Sequence, residues 1–258
     1  FLILLYSDTG VHEGALLELN TFEALKSKWN VINSINSSEA LTSSNVAYLF
    51  QNDGNFNTLR FAQCLDVSGL NKISSMFSQF GYRSNIVIPE GFVYDLTSWD
   101  VSNIAYFVDT FSSFLYNNSS AASNFKRFDI SNWNPTTVDS YCRMFSKANI
   151  GKEIDCSSLT SGTKETGVYI ESMFSENTSV ERILIPNITI VRNPQKIFYN
   201  CTALKYIDMR NFILDKDYGN MFTGVPADCE IIVKDDATKN IIVNAYSHLT
   251  NVKTVVEL

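Results

Sequence analysis

Aspartates recur in this sequence in a short pattern, each followed by an apolar residue and, in most copies, a serine. The pattern is clear in "WDVS" (99–102) and "FDIS" (128–131), and its aspartates are Asp66, Asp100, Asp129, Asp155 and Asp208. Stacked carboxylates could bind calcium or act as an acid–base pair. Alternatively, each aspartate ends a strand and accepts backbone N–H hydrogen bonds in a turn. Five similar carboxylates without a calcium-binding glycine repeat favour the architectural role.

Other catalytic and metal-binding patterns are absent from the sequence. There is no GxSxG, no GxGxxG and no GxxxxGK[ST] segment, and the two histidines are His12 and His248. The five cysteines form no CxxC pair and no metal-ligand spacing, which is typical of buried apolar residues: Cys64, Cys142, Cys156, Cys201 and Cys229. We therefore expect no enzymatic activity, no metal and no cofactor.

The charge and the apolar content of the chain limit the kinds of partner that it can bind. The 258 residues carry a formal charge of −7, and no cluster of Lys and Arg offers the phosphate contacts of a nucleic-acid binder. No apolar run approaches the roughly 20 residues that span a bilayer, so we expect no transmembrane segment. Charged residues make up only 18%, while Ser, Thr and Asn are abundant. Such a surface is typical of secreted or virion proteins.

A second signal recurs on a longer scale, as a tetrapeptide that ends in Phe. Its copies are "AYLF" (47–50), "SSMF" (74–77), "VDTF" (108–111), "CRMF" (142–145), "ESMF" (171–174), "QKIF" (195–198) and "GNMF" (219–222). We interpret each tetrapeptide as the end of a short helix. Its phenylalanines recur about every 24 to 34 residues, and periods of this length indicate stacked units that bury their apolar faces on one another.

Most of these tetrapeptides follow a segment with the alternation of a strand: "CLDVS" (64–68), "SWDVS" (98–102), "RFDIS" (127–131), "EIDCS" (153–157), "RILIP" (182–186) and "YIDMR" (206–210). Alternation places residues such as Ile183 and Ile207 in the core and the aspartates outside. Trp99 and Trp133 lie beside the strands, and Trp99 shares the parity of Val101, so we expect it to pack in the core. The phenylalanines should form an aromatic column between units. "NIVIPEGFVYDL" (85–96) breaks the period and is taken as an insertion or an extra strand.

These patterns predict an α/β solenoid with one parallel sheet, short helices or irregular turns on the other side, and a cap at each end. We divide it into an N-terminal cap (1–44), repeats (45–229) and a C-terminal cap (230–258). The last segment is expected to form strand, helix and strand, with Asp235 or Asp236 as the helix N-cap.

Several of the repeated segments resemble one known family. "WDVSN" (99–103), "FDISNW" (128–133), "MFSENTSVERI" (173–183) and "IFYNCTALKYIDMRN" (197–211) are similar to the BspA-type leucine-rich repeats. Members of that family occur on bacterial and some protist surfaces and in prophage tail proteins. The resemblance covers roughly residues 45–235. It implies a right-handed leucine-rich-repeat solenoid and a role in adhesion or recognition.

The outward face of the predicted sheet is the candidate binding surface. Alternation places a mixed polar set on it: Ser98, Asp100, Ser102, Arg127, Asp129, Ser131, Glu153, Asp155, Tyr206, Asp208 and Arg210. An ordinary solvated sheet face would have the same pattern. The leading hypothesis is a non-enzymatic recognition module, extracellular or virion-displayed, that binds a host surface protein or glycan. A structural subunit of a phage tail, baseplate or fibre, with neighbouring subunits as partners, is the alternative. A third hypothesis is a glycan hydrolase or lyase that uses two of the carboxylates.

Overall fold

A computed structural model of the chain describes residues 48–63, 65–83, 85–161, 167–188 and 190–258. The predicted N-terminal cap (1–44) and Cys64 lie outside the described residues.

Nine short strands form three parallel sheets within the described part of the chain. They are β1 (Phe92–Asp95), β2 (Phe125–Asp129), β3 (Glu153–Asp155), β4 (Val168–Tyr169), β5 (Arg182–Leu184), β6 (Val191–Arg192), β7 (Tyr206–Met209), β8 (Glu230–Val233) and β9 (Val252–Thr254). The strand orders are β1–β2, β3–β5–β7–β8–β9 and β4–β6. The strands are parallel as predicted, but they form three sheets and not one. The pairing is interrupted between β2 and β3, and β4 and β6 pair separately.

Helices are few and short. The described residues contain α1 (Phe56–Ala62), α2 (Ser119–Ser123), α3 (Asp236–Ala245) and a final 3-10 turn (Val255–Glu257). None of them is long and apolar enough to cross a bilayer. Asp235 is the N-cap of α3, and its side chain accepts a hydrogen bond from the backbone N–H of Thr238 at 2.9 Å. The strand–helix–strand prediction for the last segment is thus confirmed by β8, α3 and β9.

The aromatic column is present and continuous. Seven fully buried phenylalanines, one per repeat unit, lie in sequence with neighbouring ring centroids 5.0 to 6.2 Å apart: Phe50, Phe77, Phe111, Phe145, Phe174, Phe198 and Phe222. Tyr246, just after α3, meets Phe222 at 5.4 Å and ends the column. Because each ring is covered by the units on both sides, burial of the column depends on stacking.

The segments around these phenylalanines are irregular turns, one of the two predicted alternatives, so the interpretation of the tetrapeptides as helix ends is wrong. The residues two before and two after each Phe have φ between 52° and 85°, a left-handed conformation that no helix tolerates at this frequency. From Phe50 to Phe198, the backbone N–H of each column Phe donates to the unit that follows: that of Phe77 to Thr110 O, and that of Phe111 to Met144 O, both at 2.9 Å. These bonds between units replace the i−4 bonds of a helix.

Two predicted strands are absent, and the extra strand that was one interpretation of residues 85–96 is present. Residues 65–68 and 98–102 are irregular and turn-forming, whereas segment 85–96 contains β1, whose Asp95 pairs with Asp129 of β2. The side chains of Trp99 and Trp133 stack with centroids 5.8 Å apart and are both buried, which confirms the predicted core position of Trp99. Since Trp99 corresponds to Trp133, the counterpart of Asp100 is Asn134 and not Asp129.

The predicted alternation holds in β3, β5 and β7. It fails in β2, where Lys126 and Arg127 are both exposed, and in β8, where Ile232 pairs with Asp208 and is buried. Ile154, Ile183, Ile207 and Ile231 occupy one row of paired positions across β3, β5, β7 and β8, and all are buried. The neighbouring row contains Asp155, Leu184 and Asp208, which point the other way. This outward side of the strands, including β2, is called the strand face below.

Candidate ligand-binding face

Six aspartates adopt one local geometry. In each, a carboxylate oxygen accepts the backbone N–H of the second residue after it, with distances of 2.9 to 3.2 Å: Asp66, Asp95, Asp100, Asp129, Asp155 and Asp208. In each copy the N–H of the fourth residue after the aspartate also donates to the carbonyl of the first residue after it. An Asx turn therefore leads into a β-turn. The carboxylates serve the turn role that the sequence favoured.

Hydrogen bonding keeps three of these carboxyls ionised. The backbone N–H and the hydroxyl of Ser102 lower the pKa of Asp100. Burial is the largest single influence on the pKa of Asp129 and of Asp208 and acts to raise both. The hydrogen bonds and the nearby positive charge together outweigh it, so both pKa values are lowered; the donors are Arg127 and Ser131 for Asp129, and Arg210 and Tyr206 for Asp208. A general acid needs a raised pKa to hold its proton at neutral pH. None of these three carboxyls has a raised pKa.

Charged and aromatic side chains form a connected row across the larger sheet. Arg182 Nε lies 3.0 Å from the Glu153 carboxylate, and its guanidinium lies 4.1 Å from the centre of the Tyr206 ring. Glu230, on the next strand, accepts a hydrogen bond from Lys253 Nζ at 2.7 Å. Individual surface ion pairs stabilise little, but Arg182 contacts side chains on both neighbouring strands, which restricts its orientation.

A groove of about 380 Å³ opens on the strand face where β2 and β3 do not pair. At one end Gly151 lies close to Phe125, since a Cβ placed there would be 3.7 Å from the Phe125 carbonyl oxygen. At the other end the Ser158 hydroxyl donates to Ile130 O at 3.0 Å. The two strands are thus linked at both ends and separate between them.

Five of the predicted site residues line this groove: Arg127, Asp129, Ser131, Glu153 and Asp155. All eleven predicted residues are exposed or half-buried, which agrees with the predicted orientation. Tyr206, Asp208 and Arg210 lie farther along, at or just beyond β7. A smaller cavity of about 160 Å³ lies beside Asp208 and Arg210.

Ser98, Asp100 and Ser102 do not join the other predicted residues in the strand pairing. They follow β1 and lie in turns, and the Ser98 hydroxyl donates to Gln63 O at 3.1 Å. Placing Asp100 in the same row as Asp129 was wrong, because Asp95 occupies that position. The indole N–H of Trp99, bonded to Ala62 O at 2.9 Å, fixes this register.

Sequence reasoning missed Lys126 and Lys152, two exposed cations that line the groove. Lys152 Nζ lies 3.0 Å from Glu181. It also missed Asp95, although "DLT" (95–97) carries the same aspartate–apolar–hydroxyl pattern. The sequence predicts an insertion or an extra strand outside the period at residues 85–96, so this copy of the pattern was not recognised. Among the described residues no three or more acidic, Cys or His side chains converge as a metal site requires.

Comparison with known families gives one match, over two overlapping ranges. Residues 18–121 and 90–185 both match DUF285, described as a Mycoplasma protein of unknown function. The chain belongs to the DUF285 family. No curated protein and no solved structure matches the chain significantly. Two overlapping matches to one family agree with the internal repetition seen in the column and turns.

Proposed function

We propose that this DUF285 chain is a non-enzymatic recognition module that binds a surface protein or glycan through its strand face. The observation that carries the proposal is the groove between β2 and β3. Cations and carboxylates line it side by side, and the Arg127–Asp129 ion pair spans part of it. Convergent polar groups in a pre-formed concave site are what orient a ligand.

We also propose that the repeated units form a solenoid of the BspA-type leucine-rich-repeat kind. Support comes from the unbroken phenylalanine column and from the backbone bonds that link each unit to the next. Stacked repeats offer an extended surface for binding. Display outside a cell or on a virion would give this surface access to host molecules.

The test measures binding of the purified chain to host cells, extracellular proteins and a glycan array. We expect binding that the double variant Lys126→Glu and Lys152→Glu weakens about tenfold or more, because both cations line the groove. Lys234→Glu, an exposed cation placed directly after β8, is the matched control and should bind like the parent.

Two outcomes would overturn the proposal. Absence of binding, together with copurification of the chain with tail or baseplate proteins, would favour a structural subunit. Depolymerisation of a host polysaccharide that Asp129→Asn abolishes would establish an enzyme.

A further inference from the structure

A second concave surface lies on the side of the stack formed by the turns. It measures about 540 Å³ and is lined by residues one or two positions from the column phenylalanines in successive units. We call it the turn-face channel. It extends from the unit of Phe50, through Tyr48, to the unit of Phe198, through Tyr199. Five steps at the roughly 4.8 Å spacing of hydrogen-bonded strands give a length of about 24 Å.

The floor of the channel consists of hydroxyl groups. The residue after the column Phe is serine in four consecutive units, at Ser78, Ser112, Ser146 and Ser175. The hydroxyls of Ser146 and Ser175 share a hydrogen bond of 2.9 Å. Ser78 is only 8% exposed and lines the channel, and its hydroxyl has no hydrogen-bond partner among the described residues. A ligand in the channel would supply this hydroxyl with a partner.

Charges on the walls are largely neutralised. Arg143 makes two hydrogen bonds to Asp109, at 2.8 and 2.7 Å, and Lys147 Nζ lies 3.3 Å from Glu176. Lys196 lies over the ring of Tyr199 at 5.7 Å. With most wall charges paired, the channel offers little attraction to a strongly charged chain.

The main chain of the channel is already bonded. The backbone N–H of Gln79 donates to Ser112 O at 2.7 Å, and that of Ser113 donates to Ser146 O at the same distance. A peptide could therefore not pair with this backbone as an added strand. A ligand must use the side chains, and serine hydroxyls and glutamine amides both donate and accept hydrogen bonds.

We propose that the turn-face channel binds a linear, neutral polysaccharide in an extended conformation. Its hydroxyls pair with the serine floor and with Gln51 and Gln79, and Tyr48 and Tyr199 pack on the apolar faces of sugar rings towards the two ends. Tyr48 is 60% exposed, as a stacking platform requires. This site shares no residue with the groove of the strand face, so either can fail without the other.

The test uses calorimetric titration of the full chain with β-1,4-linked glucose and N-acetylglucosamine oligosaccharides of two to six rings. Affinity should rise with each added ring, because each ring reaches further units of the floor. Ser112→Gln, which fills the middle of the channel, should abolish binding. Tyr48→Ala should weaken it about five- to tenfold. Arg127→Ala, on the strand face, is the control and should bind the oligosaccharides like the parent.

Circular dichroism and the melting temperature establish that each variant is folded. Absence of binding by the folded parent would overturn the proposal. So would binding that Arg127→Ala abolishes while Ser112→Gln retains it, or binding confined to uronic-acid oligosaccharides. Loss of host-cell binding in the strand-face lysine variant, with oligosaccharide binding unchanged, would separate the two sites.

Discussion

Asp208 shows how one side chain serves both the backbone and the surface. Its carboxylate accepts the backbone N–H of Arg210 at 3.2 Å and the guanidinium of the same residue, with Nη2 at 2.6 Å. The Tyr206 hydroxyl lies 3.4 Å away. The turn and the charge pattern of the strand face therefore depend on the same group.

The first prediction concerns the pH dependence of stability at Asp208. Its pKa is lowered in the folded protein, so its contribution is complete above the unfolded value of about 3.9 and is lost as pH falls through the folded pKa. Asp208→Asn should lower the free energy of unfolding at neutral pH and reduce its decline below about pH 4. Urea unfolding from pH 7 to pH 2.5 measures both. Arg210→Ala keeps the carboxyl but brings its folded pKa closer to the unfolded value, so it should also reduce the decline at low pH. An unchanged curve in both variants would contradict the assignment.

The second prediction concerns two glycines with similar backbone angles. Gly224 has φ +85°, and a Cβ there would lie 2.7 Å from Asn200 Oδ1 and 3.1 Å from Asn200 Cα. Gly219 has φ +77° and nothing within 4 Å. Gly224→Ala should therefore lower the free energy of unfolding by about 2–3 kcal/mol, and Gly219→Ala by about 1 kcal/mol. Equal losses in urea unfolding would show that the contact with Asn200 has no effect.

At the scale of the element, the unit is a turn held by its neighbours. Ser75, Arg143, Ser172 and Lys196 are not residue types that favour positive φ, yet all adopt it two positions before a column Phe. Each such residue costs about 1–3 kcal/mol, which the bonds between units and the buried rings offset. The element is stable only within the stack.

This explains which features the sequence could predict. The phenylalanine spacing predicted the column because the same apolar residue recurs at matching positions, and alternation predicted the inward isoleucines. Turn conformation was mistaken for helix because the left-handed residues are fixed by bonds to the next unit, which residue type does not reveal. The sequence also did not indicate the break between β2 and β3. "RFDIS" and "EIDCS" have the same strand pattern, although the two segments do not pair.

The third prediction concerns the column. Phe145 is fully buried, with the rings of Phe111 at 5.4 Å and Phe174 at 6.2 Å. Phe145→Ala should lower the free energy of unfolding by about 3–5 kcal/mol, and Phe145→Leu by less. Phe56→Ala, at a partly buried ring 4.9 Å from Phe92, is the control and should cost less than Phe145→Ala. A smaller loss at Phe145 than at Phe56 in urea unfolding would contradict a supporting role for the column.

At the scale of the whole molecule, backbone hydrogen bonds run from each unit to the next, which is the pattern expected of the proposed solenoid. The interval from Phe77 to Phe111 equals the interval from Phe111 to Phe145. Asp95 and its strand partner Asp129 are separated by that same interval. A segment of this length can therefore be removed while the remaining phenylalanines and strand residues keep their spacing.

The fourth prediction concerns a deletion equal in length to the spacing between two column phenylalanines. Deletion of residues 96–129, which joins Asp95 to Ile130, takes out one complete interval and brings Phe145 to the former position of Phe111 relative to Phe77. We expect a folded protein with a single cooperative thermal transition at reduced temperature. Deletion of 96–124, which joins Asp95 to Phe125, breaks that spacing and should lose the transition. Equal behaviour of the two deletions by circular dichroism would contradict the solenoid.

The direction of the backbone bonds between units has a mechanical consequence. Those bonds, such as Phe77 N–H to Thr110 O, point along the stack. A pulling force along the stack therefore acts along each bond and breaks the interfaces between units one after another. We expect the protein to yield in steps under force. Each interval between column phenylalanines would release about 80 to 120 Å of chain when extended. A module tethered between two surfaces could thus lengthen and absorb load while its remaining units stay folded.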